Sequence, residues 1–434
     1  MTDLAIGIFG IGALFGLMIL RTPVAFAMFL TGFFGVWYLD GLRRATAIMF
    51  TETYSSISSY NLIVVPMFVL LGNIASEAGF SRALYDAAHA WVGRFRGGLA
   101  SASVIGCAAF SAVSGSSVAT AVTIGRVALP EMKRLGYGPG LSTGAIAAGG
   151  TLGFLIPPST GFVIYAILTE ESIGRLFMAG ILPGLLMSSL FIMAIWIVTL
   201  RNPNAGPRGE AKPLAERLRL FGRAAPLIGV IMISIGGIYL GVFTPVEASG
   251  VGAGLVILIA LLTGSLSCTG FVSAIGDTVK TSAMLYMIVV GANVLNPFLV
   301  ITDIPLALSN MLTSFGLGPY GTLVLILLSY VVLGMFLDGL AMLVVTIPIY
   351  YPIILGLGFD PIWFGVIAVI VIEMGMITPP VGLNVFVVRS VAEDIPLHTI
   401  FKGVTPFLIA MIVTLVLIIL FPQIALAIPN SMFG

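Results

Sequence analysis

Gly153-Phe154-Leu155-Ile156-Pro157-Pro158-Ser159-Thr160 interrupts a long apolar stretch, and Gly375-Met376-Ile377-Thr378-Pro379-Pro380-Val381-Gly382 interrupts another 222 residues later. Two consecutive prolines remove two helix donors and free the carbonyls one turn back. In each stretch a helix therefore has to break in the middle of an apolar run. The offset holds elsewhere. Thr22-Pro23-Val24 falls on Thr244-Pro245-Val246, Pro130 on Pro352, Gly136 on Gly358, Pro139 on Pro361, and Glu171 on Glu393. Five of the eight prolines before residue 204 meet a proline at this shift. An average proline frequency of about 5% would give about 0.4 such matches. The chain is thus written twice, with its breaks in matching places.

Composition says where such breaks lie. Of 434 residues, 59% are hydrophobic and 9% charged, and the mean hydropathy is +1.14. A soluble domain carries about 25% charged residues, so this chain has too few polar groups to cover a soluble surface. A soluble enzyme, a disordered chain and a nucleic-acid binder are excluded, and an all-α polytopic membrane protein remains. Two cysteines, Cys107 and Cys268, make no disulfide framework. His89 and His398 are too far apart to suggest a histidine metal site. Residues 4–20 could pass for a signal peptide, but Asp3 precedes them and the first basic residue, Arg21, follows them, so a retained span is expected.

A crossing needs about 20 apolar residues for roughly 30 Å of hydrocarbon. Such spans fall near 4–20, 24–40, 62–78, 142–168 and 180–200, and again near 226–243, 246–263, 283–300, 362–388 and 404–422. Each half also holds an interrupted segment. Ala102–Val113 and Val118–Leu129 have 12 residues each, and at about 1.5 Å per residue neither crosses alone. A re-entrant hairpin over 100–131 is expected, echoed over 320–352. Segments 41–60, 80–98, 264–281 and 302–318 read as interfacial arms.

Five crossings per half would set the halves in opposite orientations, as inverted repeats. The domains are then 1–200, a basic linker 201–223 with a short amphipathic helix after Pro213, and 224–434. With the linker in the cytoplasm, all of the 19 basic residues except Arg43, Arg44 and Arg175 fall on that side. Both termini are then periplasmic.

Broken backbone within a bilayer is tolerated where protein or a water-filled cavity satisfies it, so the breaks mark the site. The first hairpin tip, Phe110-Ser111-Ala112-Val113-Ser114-Gly115-Ser116-Ser117-Val118-Ala119-Thr120, supplies hard oxygen donors suited to a cation such as Na⁺. It could also be a small-residue packing face. The second tip, Leu333-Gly334-Met335-Phe336-Leu337-Asp338-Gly339-Leu340, places Asp338 on Ser116 at the same shift. An acid in an apolar run is a functional candidate, and Asp338 could equally cap the helix that follows. The Pro-Pro pairs free the carbonyls of Gly153, Ile156, Gly375 and Thr378, unless they merely kink their helices. Glu373 is a candidate proton carrier or pore-lining group. Asn293 and Asn296 are weaker candidates.

Ser114-Gly115-Ser116-Ser117, Leu155-Ile156-Pro157-Pro158-Ser159, Phe336-Leu337-Asp338, Phe359-Asp360-Pro361 and Thr378-Pro379-Pro380-Val381-Gly382 stand in this order. Together they resemble the large membrane subunit of tripartite ATP-independent periplasmic (TRAP) transporters, over nearly the whole chain. The resemblance implies an elevator-type importer in the bacterial inner membrane that takes up organic acids, such as C4-dicarboxylates or sialic acid, with Na⁺. It implies two partners: a small four-helix membrane subunit, expected as a separate chain, and a periplasmic substrate-binding protein. It implies one Na⁺ site at Ser111, Ser114, Gly153, Ile156 and Pro158, and a second at Gly334, Gly375, Thr378 and Pro380. Substrate is implied near Ser116, Ser117, Thr120, Pro157, Ser159, Asp338, Gly339 and Asn384. The alternative is a stand-alone Na⁺- or H⁺-coupled carboxylate carrier. A membrane-embedded enzyme lacks a catalytic constellation near any break.

Overall fold

The structure, a computed structural model, describes residues 2–432. The first half comprises α1 (Asp3–Ile19), α2 (Val24–Asp40), α3 (Leu42–Ser58), α4 (Val64–Glu77), α5 (Phe80–Val92), α6 (Gly98–Ser114), α7 (Ser117–Arg134), α8 (Pro139–Thr151), α9 (Thr160–Thr169) and α10 (Ile173–Arg201). The second comprises α11 (Leu214–Tyr239), α12 (Pro245–Leu262), α13 (Cys268–Ile301), α14 (Ile304–Ser314), α15 (Gly318–Gly334), α16 (Gly339–Gly356), α17 (Pro361–Gly375), α18 (Leu383–Val391), α19 (Leu397–Leu420) and α20 (Gln423–Ser431). No strand occurs among the described residues.

The repeated prolines have local reasons. Pro139 and Pro361 open α8 and α17, where a missing N–H costs nothing. Asp360 caps α17, its Oδ1 accepting from Trp363 N at 2.9 Å. Pro245 opens α12 inside a capping box in which Thr244 Oγ1 accepts from Glu247 N and the Glu247 carboxylate accepts from Thr244 N. Pro130 and Pro352 lie within α7 and α16, and Pro183 and Pro406 within α10 and α19. Helix bounds keep the sequence offset: α7 and α16 begin at Ser117 and Gly339 and end at Arg134 and Gly356.

Packing gathers the helices into two groups. In one, α13 lies along α2, α3 and α4, and α12 packs on α4 and α11. In the other, α6, α7 and α8 pack together, α19 covers α8 and α10, and α17 lies against α15, α16 and α10. The groups meet where α4 touches α6 and where α13 and α14 touch α16, and α5 joins them by packing on both α6 and α11.

Seven helices are long and apolar enough to cross a membrane: α10, α11, α12, α13, α16, α19, and α4 with the 3₁₀ turn before it. The chain is a multi-pass membrane protein. Three expectations change. The arm expected over 264–281 is the first part of α13, a continuous helix of 34 residues. Its polar opening, 268–281, contains no proline and so continues the helical ladder, which runs on through Pro297 to Ile301. The short helix after Pro213 is likewise the first part of α11, 26 residues long, which runs through Pro226 into the span. The hairpin limbs are longer than 12 residues, because glycine, proline and, in α7, charged residues at their ends stay within the helical ladder: α6 and α15 have 17 residues, α7 and α16 have 18.

Candidate functional site at the paired breaks

Each hairpin tip is held against the broken helix of its own half. Gly115 closes α6 in the left-handed region, φ 59°, which a side chain resists. A Cβ there would also come within 2.7 Å of the Pro158 carbonyl. The Gly115 carbonyl accepts from Thr160 N at 3.1 Å and from Thr160 Oγ1 at 2.8 Å, which ties the tip to the start of α9. The second half repeats the tie: Gly382 N donates to Met335 O at 3.4 Å. Backbones also touch directly. Gly153 lies against the Ser116 carbonyl, and a Cβ on Gly375 would stand 2.7 Å from Gly334 Cα.

The proline pairs leave acceptors free. Among the described residues the carbonyl oxygens of Ile156 and Thr378 accept no hydrogen bond, whereas that of Gly375 accepts from Thr378 N at 3.0 Å. Around the first break, Ser111 Oγ donates to Cys107 O at 2.6 Å and Ser114 Oγ pairs with Thr120 Oγ1 at 2.7 Å. Ser159 caps α9, accepting from Phe162 N at 3.3 Å and donating to Phe154 O. Around the second, Thr378 Oγ1 donates to Met374 O at 2.6 Å, so its hydroxyl is spent within the helix. Close backbone approach thus joins Gly334 to Gly375, and sets Pro158 and Gly153 against the first tip at Gly115 and Ser116.

Ser116 and Asp338 occupy equivalent local positions. Ser116 Oγ caps α7 by accepting from Ala119 N at 3.3 Å. Asp338 Oδ1 caps α16, accepting from Leu340 N at 3.1 Å and Ala341 N at 3.0 Å. Both side chains line a single cavity of about 610 Å³. The hairpin side adds Ser114, Thr123 and Thr160; the facing side is α2, α4 and α13, with Asn73, Ser76 and Thr281. Four helix N-termini, those of α2, α7, α9 and α16, open on this space, and the positive end of each helix dipole favours an anion there. No arginine, lysine or histidine lines it.

The other residues expected near substrate do not reach the cavity. Ser117, Thr120, Pro157, Ser159, Gly339 and Asn384 are buried behind the tips. Of the residues expected near substrate, Ser116 and Asp338 line this cavity. Asn73, Ser76, Thr123 and Thr281 are cavity residues that sequence reading passed over. A polar residue within an apolar span was the available signal at Asn73, whose Nδ2 donates to Thr278 Oγ1 at 2.9 Å and so joins α4 to α13.

Glu373 is fully buried in α17. Its Oε2 accepts a long 3.4 Å bond from Asn384 Nδ2 on α18, across the break, and Ser117 of the first hairpin faces the same carboxyl. Glu373 Oε1 and Asn384 Oδ1 have no partner among the described residues. A second cavity, about 470 Å³, lies further along α13 and is lined by Asn293, Asn296, Asp303 and Tyr351. Tyr351 Oη donates there to Glu171 Oε1 at 3.0 Å, and Asn293 Nδ2 to Ser56 Oγ at 2.9 Å.

Paired hairpins, paired broken helices and a cavity enclosed between two helix groups define a membrane transport protein. The model of the tripartite ATP-independent periplasmic transporter DctM component matches residues 11–424. The chain is 37% identical over 389 residues to the C4-dicarboxylate TRAP transporter large permease protein DctM of Pseudomonas aeruginosa, covering 89% of this chain and 90% of that one. It is 33% identical over 439 residues to the sialic acid TRAP transporter large permease protein SiaM of Vibrio cholerae, covering 98% and 99%. Among solved structures, the YdaH transporter of Alcanivorax borkumensis superposes with a TM-score of 0.61 at 16% identity, over 89% of this chain and 90% of that one, and so shares the fold. The chain belongs to the DctM family of TRAP transporter large permease subunits, which are transport proteins and not enzymes.

Proposed function

We propose that this permease subunit imports an organic acid by Na⁺ symport in the bacterial inner membrane. A C4-dicarboxylate, a sialic acid or a related carboxylate is the solute class. One observation carries the reading: Ser116 and Asp338, matched positions of the two halves, cap two helices whose N-termini open on one cavity. Without a basic side chain, the positive potential for a carboxylate comes from those helix ends and from bound Na⁺. Na⁺ sits against the freed carbonyls, with Ser111, Ser114, Gly153, Ile156 and Pro158 in the first half and Gly334, Gly375, Thr378 and Pro380 in the second. Each ion joins a hairpin tip to a broken helix.

The two halves are inverted repeats in this proposal, with five crossings and one re-entrant hairpin each and both termini periplasmic. The matched helix bounds and the placement of basic residues support it. The group containing the hairpins and broken helices slides as an elevator against α2, α4, α12 and α13. The cavity with Ser116 and Asp338 then serves one side, and the cavity with Asn296 and Tyr351 lies on the path to the other. A small four-helix subunit, as a separate chain, holds the static group. A periplasmic binding protein delivers the solute.

The test is uptake into proteoliposomes holding all three components, with the solute that the cognate binding protein retains. An inward Na⁺ gradient should drive accumulation. Na⁺ and solute must raise each other's affinity by the same factor. Equal uptake with and without the gradient would reject symport, and equal uptake without the binding protein would favour a stand-alone carrier.

A further inference from the structure

The segment that joins the halves is fastened down. Gly97 N donates to Gly206 O at 2.9 Å, Gly209 N to Gly93 O at 3.0 Å, and Gly138 N to Ala205 O at 2.9 Å. Tyr137 Oη adds a bond to Pro207 O at 2.9 Å while accepting from Leu99 N at 3.1 Å. These bonds lay the linker across the loop between α5 and α6, at the base of the first hairpin. They bring Arg208 of the linker to the same cavity as Arg94 and Arg96 of that loop.

The cavity measures about 710 Å³, and no aspartate or glutamate lines it. Among the described residues none of the three arginines forms an ion pair. Three like charges around one space repel each other, so the arrangement is complementary to an anion. Guanidinium groups suit phosphate in particular, because their N–H fork matches its oxygens. The other wall is mostly apolar: Ile105 of α6 and Ile192, Trp196 and Leu200 of α10, with Ser101 and Thr199 its polar members. It runs back from the polar end of α10, a helix long and apolar enough to cross the membrane. Trp196, 59% exposed, stands near that end of α10, and tryptophan is a residue type enriched at membrane interfaces.

A free anion would use the arginines and leave the apolar wall bare; an amphiphile uses both. We infer that this cavity binds an anionic phospholipid, its phosphate on Arg94, Arg96 and Arg208 and its acyl chains along Ile192 and Trp196. Basic pockets beside transmembrane helices recognise lipid headgroups by this combination. Bound there, the lipid joins the linker to the base of the first hairpin and travels with that helix group.

The test is native mass spectrometry of the delipidated full chain with added phosphatidylglycerol, phosphatidylcholine or soluble glycerol phosphate. The wild type should retain phosphatidylglycerol about tenfold better than phosphatidylcholine, as several charge-assisted hydrogen bonds imply. The combined R94Q, R96Q and R208Q variant should lose that preference. R208Q alone, on the exposed linker, should weaken retention about threefold, and it keeps the test decisive if the triple variant does not fold. Unchanged phosphatidylglycerol retention in these variants overturns the inference. So does equal retention of phosphatidylcholine by the wild type. Glycerol phosphate binding as tightly as the lipid would make this a free-anion site and overturn it as well.

Discussion

Asp338 combines a cap and a charge, and two substitutions separate them. D338N keeps an N-cap acceptor, so the fold should melt within a few tenths of a kcal/mol of wild type, whereas D338A should cost about 1 kcal/mol by losing the cap. If the charge orders cation and solute, both variants lose uptake by at least about tenfold, equivalent to about 1.4 kcal/mol. Thermal melts beside proteoliposome uptake distinguish the cases, and D338N with full uptake would leave Asp338 a cap alone. Glu373 gives a second residue-scale prediction. E373L leaves Asn384 Nδ2 buried without its partner and should destabilise by about 1–3 kcal/mol. E373Q, which can still pair with Asn384, should melt closer to wild type. These two residues also differ in how far the sequence reveals them. Asp338 stands out as an acid in an apolar run, and its capping role follows from its place just before the apolar helix that begins at Gly339. The partner of Glu373 does not stand out, because Asn384 lies beyond a break whose geometry decides whether the two side chains meet.

At the level of elements, the breaks were legible because proline and glycine constrain backbone wherever they occur. Gly334 and Gly375 show why the spacing matters: the ends of α15 and α17 touch backbone to backbone there. G375V should force the two helices apart and destabilise by about 1–3 kcal/mol or more, with G375A the milder change. Urea or thermal unfolding in detergent measures this, and a stable G375V would mean that the contact is loose. Helix continuity was less legible. The polar openings of α11 and α13 resemble separate arms by composition, yet nothing in them ends the helical ladder. Limb length was misread for the same reason, since hydropathy reports where a helix is apolar and not where its hydrogen bonds stop.

Across the whole molecule, the repeat could be read from sequence, but the cavity could not. Its far wall unites Asn73 and Ser76 of α4 with Thr281 of α13, and no pattern along the chain links these positions. The cavity makes a prediction about access. In a C268S background, which removes the exposed native thiol, S116C should react with a small membrane-permeant maleimide while Cys107 stays unreactive. Na⁺ with solute should slow that labelling. Labelling of S116C that is as slow as that of Cys107 would mean that the cavity is closed to reagents.

The fastening of the linker bears on how the gene could be divided. Every backbone pin, at Ala205, Gly206 and Gly209, lies before Glu210, and α11 does not begin until Leu214. A protein made as two polypeptides, 1–211 and 212–434, keeps all three pins on the first piece and should reassemble when co-expressed. A cut at residue 203 would strand the pins on the second piece, and recovery of the paired fragments from detergent should fall.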